Sequence, residues 1–503
     1  MSSPRRETHE RFVVGLDCST TAAKAIVFDD KGKVVARASE PIRLNSPQPN
    51  YYEQESRDWW RSARRALQAI TRRVDPKDVA ALAISNQRET FVPLDGKGNA
   101  LRPAIVWLDE RCKDEVDIFS ALVGRSRIHR ITGKPPDYAP MVYRLAWMKR
   151  HEAGLFKKIR MICDVHSYIV WKLTGTFRTS WASADPLGLF DLQNKRWSPV
   201  LLRALGLESD RLPGTFCPGS VLGRVSDLAS KQTGLRASTP IIAGGGDGQA
   251  AGLGANVLTS HRAYLNLGTA VVAGVYGDEY RTDKAFRTMS SCSQRGYYYE
   301  CSLRAGTFAL DWLIGKVMGI DPTNHPGIYG QLDREAQKVP AGCEGLMHLP
   351  YLCGVMNPYW DMDARGAFIG LSSSHHRGHV YRSILEGIAF EQSMAIGTVE
   401  KAVGTNVREL VAIGGGATSA LWLQIIADVT GKNICIPKTA EASALGAAIA
   451  AAVGIGWYKN FSDAAACMTK VKSVIKPGNK NRNAYRRLSA KYRKIYPRLR
   501  RLQ

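Results

Sequence analysis

The sequence lacks the features of a membrane-bound or exported protein. No run reaches the ~18 uninterrupted apolar residues of a membrane span, and the nearest, 442–457, is broken by Gly446, Gly454 and Gly456. Residues 1–11 are polar, without the apolar core of a signal peptide. The ten cysteines are scattered, with no Cys-x-x-Cys pair and no zinc spacing. These absences predict a cytoplasmic protein without a membrane partner or a structural metal.

Acidic residues are scarce, since 45 Asp and Glu face 69 Lys and Arg, a net charge of +24. Thirteen of the basic residues and no acidic one lie in 470–503, which holds more than half of the excess. An apolar stripe with helical spacing runs through this tail, formed by Tyr485, Leu488, Tyr492, Ile495 and Leu499. We predict a docked terminal helix and no nucleic-acid partner. The alternative, an arm that binds RNA or DNA, predicts retention that falls steeply with salt.

At 503 residues the chain is too long for one core, so two sizeable domains are expected. Its composition, 45% hydrophobic and 23% charged, is typical of a globular protein. Predicted apolar strands and helical stretches follow one another along the chain. No Gly-x-x-x-x-Gly-Lys-Ser/Thr occurs, and this excludes a P-loop nucleotide site.

The most informative stretch is 241–254, where an apolar run ends in three glycines and is followed by Asp247 and a small-residue helical segment. Glycines on both sides of Asp247 remove side-chain bulk, so a hydroxyl and a phosphate can approach its carboxylate. A general base for a hydroxyl nucleophile requires this access. Gly-Gly-Asp-Gly is also a common sequence in turns. This stretch alone therefore supports a turn without function as well as it supports a catalytic site.

Two hairpins in different parts of the chain share one plan. Predicted strands at 12–16 and 24–28 flank the small, hydroxylated residues 17–21, and residues 263–278 repeat the order of strand, small turn with threonine, and strand. Such turns offer backbone N–H groups and hydroxyls to phosphate oxygens, and Asp17 beside them can hold a magnesium ion through water. The echo predicts duplicated domains that face each other, each with a phosphate-binding turn.

Polar residues follow several other predicted strands. Arg88 and Glu89 come after the strand 79–85, at the end of a strand where ligands bind in an open α/β sheet. They can form hydrogen bonds with the hydroxyls of a polyol. Alternatively, they form a surface ion pair that contributes little to stability. A further strand is predicted at 105–111, and Tyr138 lies in the loop 132–140, where it flanks a substrate or is simply packed.

Two later segments combine a glycine turn with a helix. The strand 409–413 ends in glycines 414–416 and precedes a helix over 420–430, and Gly306 opens a helix that runs through Trp312. Bare backbone and helix N-termini of this kind accommodate a planar or phosphorylated ligand. Residues 441–448 begin a small-residue helix that can pack closely against a neighbour.

Taken together, these motifs resemble the FGGY family of carbohydrate kinases over residues 13–457. The resemblance implies an α/β fold with two actin/hexokinase/Hsp70-like (ribonuclease H-like) domains and a cleft between them. It divides the chain into an N-terminal domain, 11–255, with the substrate site and the catalytic base, a nucleotide-binding C-terminal domain, 256–460, and a basic helical tail, 461–503. Dimers are common among the enzymes that the chain resembles, so a homodimer is expected.

The resemblance also implies roles for individual residues in ATP- and Mg²⁺-dependent phosphoryl transfer. Asp247 resembles the catalytic base, which also binds the substrate together with Arg88, Glu89 and Tyr138, and Asp17 resembles the acid near the magnesium ion. The residues that it implies for ATP binding are Thr20, Thr21, Lys24, Gly268, Thr269, Gly306, Gly415 and Gly416.

The substrate is less clearly indicated. Arg88 and Glu89 resemble the substrate strand of glycerol kinases, but Gly248 stands where those enzymes have a glutamine and predicts a wider pocket. Glu53 and Gln54 ahead of Trp59 and Trp60, the triple glycine, and residues 365–368 look more like xylulose kinases. We therefore expect a small sugar or polyol substrate, with a ketopentose such as xylulose first and glycerol or another short polyol as the alternative. A non-enzymatic alternative is an actin- or Hsp70-like nucleotide-dependent binding protein.

Overall fold

The computed structural model describes residues 11–502, so the expectation of a polar N-terminus without a signal peptide lies, apart from Arg11, outside the described residues. Within 11–502, no helix is long and apolar enough to cross a membrane. We call 11–255 the first half and 256–502 the second half. Each half contains one large sheet.

The first half alternates strands and helices, as its sequence predicts. Its strands are β1 Phe12–Cys18, β2 Ala22–Phe28, β3 Val34–Pro41, β4 Glu53–Gln54, β5 Val79–Asn86, β6 Phe91–Leu94, β7 Ala104–Ile105, β8 Met161–Asp164, β9 Arg178–Ser180, β10 Phe190–Asp191, β11 Arg196–Trp197, β12 Gly214–Phe216, β13 Val221–Arg224 and β14 Pro240–Gly246. Its helices are α1 Ser56–Thr71, α2 Lys113–Val123, α3 Arg125–Thr132, α4 Met141–His151, α5 Ala153–Phe156, α6 Val165–Thr174, α7 Trp181–Ala184, α8 Pro199–Leu205, α9 Asp227–Thr233 and α10 Asp247–Gly254.

The second half continues the same numbering. Its strands are β15 Arg262–Leu267, β16 Val271–Gly277, β17 Arg287–Ser290, β18 Tyr297–Leu303, β19 Met347–Leu349, β20 Ala367–Ile369, β21 Glu409–Ile413, β22 Asn433–Pro437 and β23 Val471–Ile475. Its helices are α11 Thr307–Trp312, α12 Ile328–Lys338, α13 Arg377–Val403, α14 Ala420–Thr430, α15 Ala442–Gly454, α16 Phe461–Met468, α17 Asn479–Tyr492 and α18 Ile495–Leu499.

The two large sheets repeat one topology. The first has the order β13-β14-β5-β1-β2-β3 and the second the order β17-β18-β16-β15-β21-β22-β23. In each, an antiparallel hairpin (β1–β2, β15–β16) is joined through its first strand to a parallel strand (β5, β21). Matching pairs continue outward, parallel and then antiparallel, to β13 and β23. The predicted duplication is therefore confirmed at the level of the sheets.

Helix α15 joins the halves in space. Its alanines and those of α16 form one buried cluster with apolar residues of the first sheet, including Val13, Ala81 and Ile242. The helix also lies directly against α10, where a Cβ on Gly446 would stand 1.8 Å from the carbonyl oxygen of Ala250. The close packing predicted for this small-residue helix is confirmed.

Two predicted elements need correction or completion. The strand expected at 105–111 ends at Ile105, because Asp109 donates its N–H to the carbonyl of Val106, 3.0 Å away, and closes a turn. The range 461–503, expected as a helical tail, contains β23 between α16 and α17. The apolar stripe does dock: Tyr485 and Tyr492 are buried in the core of the second half, and its other members pack against that core.

Candidate active site

A cavity of about 370 Å³ lies between the two halves, at the ends of β1, β5 and β14. Several of the predicted site residues, which lie far apart in sequence, line this cavity. Those that line it are Asp17, Arg88, Glu89, Tyr138, Asp247, Gly268 and Thr269. Thr20, Thr21, Lys24, Gly306, Gly415 and Gly416 are outside its lining.

Asp247 is the first residue of α10, immediately after β14, and its side chain faces the cavity with 42% of its surface open. Its Oδ1 accepts a 2.8 Å hydrogen bond from the N–H of Gly248. Desolvation deep in the cleft raises its pKa, and the positive charge of Arg88 opposes this rise. A partly exposed carboxylate with a raised pKa suits a base that accepts a proton from a bound hydroxyl.

Arg88 fills the space beside the glycines around Asp247. A Cβ on Gly246 would meet the side chain of Arg88 at 2.6 Å, and one on Gly248 would meet its guanidinium at 3.0 Å. The arginine therefore occupies the room beside the Cα of Gly248, which itself lines the cavity, and the wider pocket stays a prediction. Arg88 Nε lies 3.3 Å from Asp247 Oδ1, and its Nη1 also donates to the buried Gln249 at 3.3 Å.

The main partner of Arg88 is a carboxylate of the second half. Arg88 Nη1 donates to both oxygens of Glu300, at 2.8 and 3.0 Å, and the side chain of Glu300 is fully buried. Burial would raise the pKa of Glu300, but Arg88 and Arg287 outweigh it and lower that pKa to about 2. Burial likewise acts to lower the pKa of Arg88, and Glu300, Asp247 and Glu89 together raise it. Both groups are therefore ionised at neutral pH.

Arg287 connects this pair to Glu89. Its Nε donates to Glu300 Oε2 at 3.0 Å and its Nη1 to Glu89 Oε1 at 3.0 Å. Arg88 and Glu89, adjacent in sequence, are thus bridged by two residues of the second half. The surface ion pair considered for Arg88 and Glu89 is not present, since both side chains are largely buried.

Tyr138 belongs to a second interaction between the halves. Its hydroxyl accepts a 2.6 Å hydrogen bond from Arg304 Nη1, and the guanidinium lies 4.4 Å from its ring centroid. Arg304 also pairs with both oxygens of Asp137, at 3.0 and 2.9 Å. Tyr138 is therefore packed and lines the cavity at the same time.

The first predicted phosphate turn reaches the cavity through Ser19, not through its threonines. Thr20 Oγ1 accepts a 3.0 Å hydrogen bond from the indole of Trp107, and Thr21 is exposed. Lys24 forms a 3.1 Å ion pair with Glu441, beside α15. Of these residues, Lys24 carries the only positive charge.

The second predicted phosphate turn, 268–270, lines the cavity and is tied to the start of α11. Gly306 donates its N–H to the carbonyl of Thr269 at 2.8 Å, and Thr307 donates to that of Gly268 at 2.9 Å. A Cβ on Gly306 would lie 2.6 Å from the carbonyl oxygen of Gly268. A glycine at 306 therefore allows the turn 268–270 to contact the start of α11.

Gly415 and Gly416 lie in a short 3₁₀ turn after β21. The Cα of Gly415 faces open space, whereas a Cβ on Gly416 would meet the Trp422 ring at 2.5 Å. The turn thus offers exposed backbone, outside the cavity, on the second half.

The donor set fits magnesium bound together with a nucleotide. Among residues 11–502, no group of three or more His, Cys, Asp and Glu side chains is arranged to hold a metal ion alone. Mg²⁺ commonly takes one or two carboxylates, with phosphate oxygens and water completing its octahedron. Asp17 lines the cavity with Asp247, and burial followed by the charge of Asp247 raises the pKa of Asp17 to about 7. A cation there would relieve this repulsion.

Sequence reasoning missed Glu300, Arg287, Arg304 and Asp137. One signal could have found Glu300, since it is the only charged residue in the strand Tyr297–Leu303. A lone carboxylate in an otherwise buried strand requires a partner. Nothing in the sequence identifies that partner as Arg88, 212 residues away.

The chain is similar to known carbohydrate kinases over nearly its whole length. The N-terminal domain of the FGGY family of carbohydrate kinases matches residues 12–254 and its C-terminal domain residues 263–455. Xylulose kinase of Escherichia coli (strain K12) is 30% identical over 493 residues, 97% of this chain and 99% of that protein. The crystal structure of xylulose kinase from Rhodospirillum rubrum has a TM-score of 0.90 and 30% identity, and covers 98% of this chain and 99% of that one.

A third likeness concerns the fold alone. Plasmodium falciparum glycerol kinase with ADP has a TM-score of 0.86 at 21% identity, and covers 97% of this chain and 98% of that one. With the first two, it confirms the predicted fold of two actin/hexokinase-like domains around a cleft.

Proposed function

The chain belongs to the FGGY family of carbohydrate kinases, and from that premise we propose that its acceptor is a ketopentose, with xylulose as the first choice. It is an ATP-dependent phosphotransferase that acts on an alcohol group and uses Mg²⁺. The observation that carries the choice of sugar is the likeness, over nearly the full length of both chains, to xylulose kinases. Within the proposal, 11–255 supplies the sugar site, 256–460 the nucleotide site, and 461–503 a basic tail.

In the proposed reaction, Asp247 accepts the proton of the sugar hydroxyl. The oxygen of that hydroxyl attacks the γ-phosphorus of ATP, and ADP leaves. Arg88, Glu89 and Tyr138 orient the sugar. The turns at 17–21 and 268–270, with Lys24 and Gly306, hold the phosphates, and Gly415 and Gly416 lie under the adenosine. Asp17 would hold Mg²⁺, which would supply positive charge to the phosphates when bound. Such a site works by positioning and charge compensation.

The charge of the cavity supports a neutral sugar. Among the described residues, three arginines line it, and each is already paired: Arg88 with Glu300, Arg287 with Glu89 and Glu300, and Arg304 with Asp137. The four carboxylates that line the cavity outnumber these arginines, and they are Asp17, Glu89, Asp137 and Asp247. An acid sugar such as gluconate would bring a carboxylate with no free cation to meet it, and burying an unpaired charge is costly.

A coupled ADP-release assay tests the choice of sugar. We expect D-xylulose to have the highest kcat/KM in a panel of glycerol, erythritol, ribitol, D- and L-xylulose, D- and L-ribulose and gluconate, with gluconate inactive. Glycerol at the top would favour the alternative that Arg88 and Glu89 suggest. No ADP release with any sugar of the panel, in a protein that still binds ATP, would favour the non-enzymatic alternative.

Gly306→Ala tests the nucleotide side of the proposal. The new Cβ would collide with the carbonyl of Gly268 and displace the second phosphate turn. If the overpacking cost of about 1–3 kcal/mol falls on ATP binding, the KM for ATP rises about 5- to 150-fold. The matched control is Gly315→Ala, in the helical turn Leu313–Val317 that directly follows α11. A Cβ there meets nothing within 4 Å. An unchanged KM for ATP in Gly306→Ala would contradict the assignment.

Three further expectations stay predictions. They are the cytoplasmic location, the homodimer and the absence of a nucleic-acid partner. Docking of the apolar stripe of the tail on the core supports the last of these, because a docked helix is not a free basic arm.

A further inference from the structure

We propose that Glu300 is a positioning residue for sugar recognition: from the second half, it fixes the guanidinium of Arg88 in the first half, so that the sugar site is complete only when the halves are together. The inference rests on the proposed function, and it adds a residue that does not itself face the cavity. Glu300 lies behind the lining, on β18.

The contacts of Glu300 are directed at the site. Its two oxygens accept from Arg88 Nη1 and from Arg287 Nε, and Tyr264 donates its hydroxyl to Oε1. Arg88, Arg287 and Tyr264 all line the cavity. Three donors to a fully buried carboxylate hold it in one orientation, and they hold the two arginines with it.

Glu300 decides which carboxylate Arg88 binds most strongly. The guanidinium has two within reach, Glu300 at 2.8 Å and Asp247 at 3.3 Å. Without the charge of Glu300, Arg88 would turn towards Asp247, since an arginine pairs best with a carboxylate through two parallel hydrogen bonds. Both would then be withdrawn from the sugar: Arg88 as a donor to its hydroxyls and Asp247 as the acceptor of its proton.

The arrangement also connects sugar binding to the relative position of the halves. Arg88 and Glu89 follow β5 of the first half, whereas Glu300 and Arg287 lie on β18 and β17 of the second. Each residue of the first pair contacts one of the second, at 2.8 Å for Arg88–Glu300 and 3.0 Å for Glu89–Arg287. A movement that separates the halves would release both sugar-binding side chains at once.

The test is Glu300→Gln, which keeps the size of the side chain and removes its charge. We expect the KM for the best panel sugar to rise about tenfold or more, the effect of losing a hydrogen bond to a charged group, while the KM for ATP stays within about twofold. Glu300→Asp, which retains the charge, should recover part of the loss. It also serves as the test if Glu300→Gln does not fold.

The matched control is Glu386→Gln. Glu386 is also buried and also accepts from an arginine and a tyrosine, Arg382 and Tyr485, but it lies away from the cavity. It should lose stability without a change in sugar KM. If Glu300→Gln also loses stability without a change in sugar KM, in a protein that is still active, this overturns the inference and leaves the proposed function standing. A wild-type protein inactive on the whole panel would overturn the proposed function and the inference with it.

Discussion

Replacing Asp247 with asparagine is expected to lower kcat by about 10³-fold and to leave ATP binding nearly intact. An amide of the same shape cannot accept the hydroxyl proton, and loss of a general base costs about 10²–10⁴-fold. Since Asp247 is the first residue of α10 and does not belong to the phosphate turn at 268–270, the nucleotide should keep most of its contacts. ADP release under saturating sugar and calorimetric titration with ATP measure the two effects.

A buried carboxylate elsewhere serves as the control for Asp247→Asn. Asp164 is fully buried, caps α6 through a 3.0 Å hydrogen bond from the N–H of Ser167, and does not line the cavity. Asp164→Asn should therefore lower the melting temperature without a comparable loss of kcat in the folded protein. Near-normal turnover in Asp247→Asn would remove that residue from its proposed role.

Arg88→Ala is expected to combine a catalytic and a structural loss. Removal of one partner of a buried ion pair destabilises a protein by about 3–5 kcal/mol, and we expect the lower end of that range because Arg287 and Tyr264 still donate to Glu300. The sugar loses a donor and Asp247 a neighbour, so kcat/KM should fall about 10³-fold, as two charged hydrogen bonds would contribute. Urea unfolding and the sugar dependence of ADP release check both.

Arg382→Ala separates the two losses. Arg382 is buried and pairs with Glu386 at 2.8 Å on α13, so its removal should destabilise the protein in the same way. Its kcat/KM, measured well below the melting temperature, should stay within about threefold of the wild-type value. If Arg88→Ala changes neither KM nor kcat, Arg88 has no part in binding the sugar.

The sequence was sufficient where the signal is local. The strand at 409–413 and the helix at 420–430 have their predicted ends, because glycines and apolar runs determine both directly. The duplicated hairpins were visible for the same reason. The prediction at 105–111 failed because Val106 and Trp107, although apolar, enter a turn closed by Asp109.

The site could be predicted only on one side. Asp17 lies near the end of β1, and Arg88 and Asp247 come just after β5 and β14. Such strand ends meet in any open α/β sheet. Glu300, the partner of Arg88, and Arg287, the partner of Glu89, come from the other sheet. Only the packed tertiary structure brings these two pairs together, at 2.8 and 3.0 Å. The contact of Arg88 with Gly248 was not predicted for the same physical reason, because the two residues lie far apart in sequence.

The packing of α15 and α16 has a consequence for biosynthesis. These helices cover apolar residues of the first sheet, but the ribosome makes them only after every strand of that sheet. N-terminal domains generally fold first during synthesis, yet here Val13, Ala81 and Ile242 wait for Ala444–Met468 of the same chain before that face is covered. The nascent polypeptide therefore exposes this apolar face of the first sheet until α15 and α16 have been made.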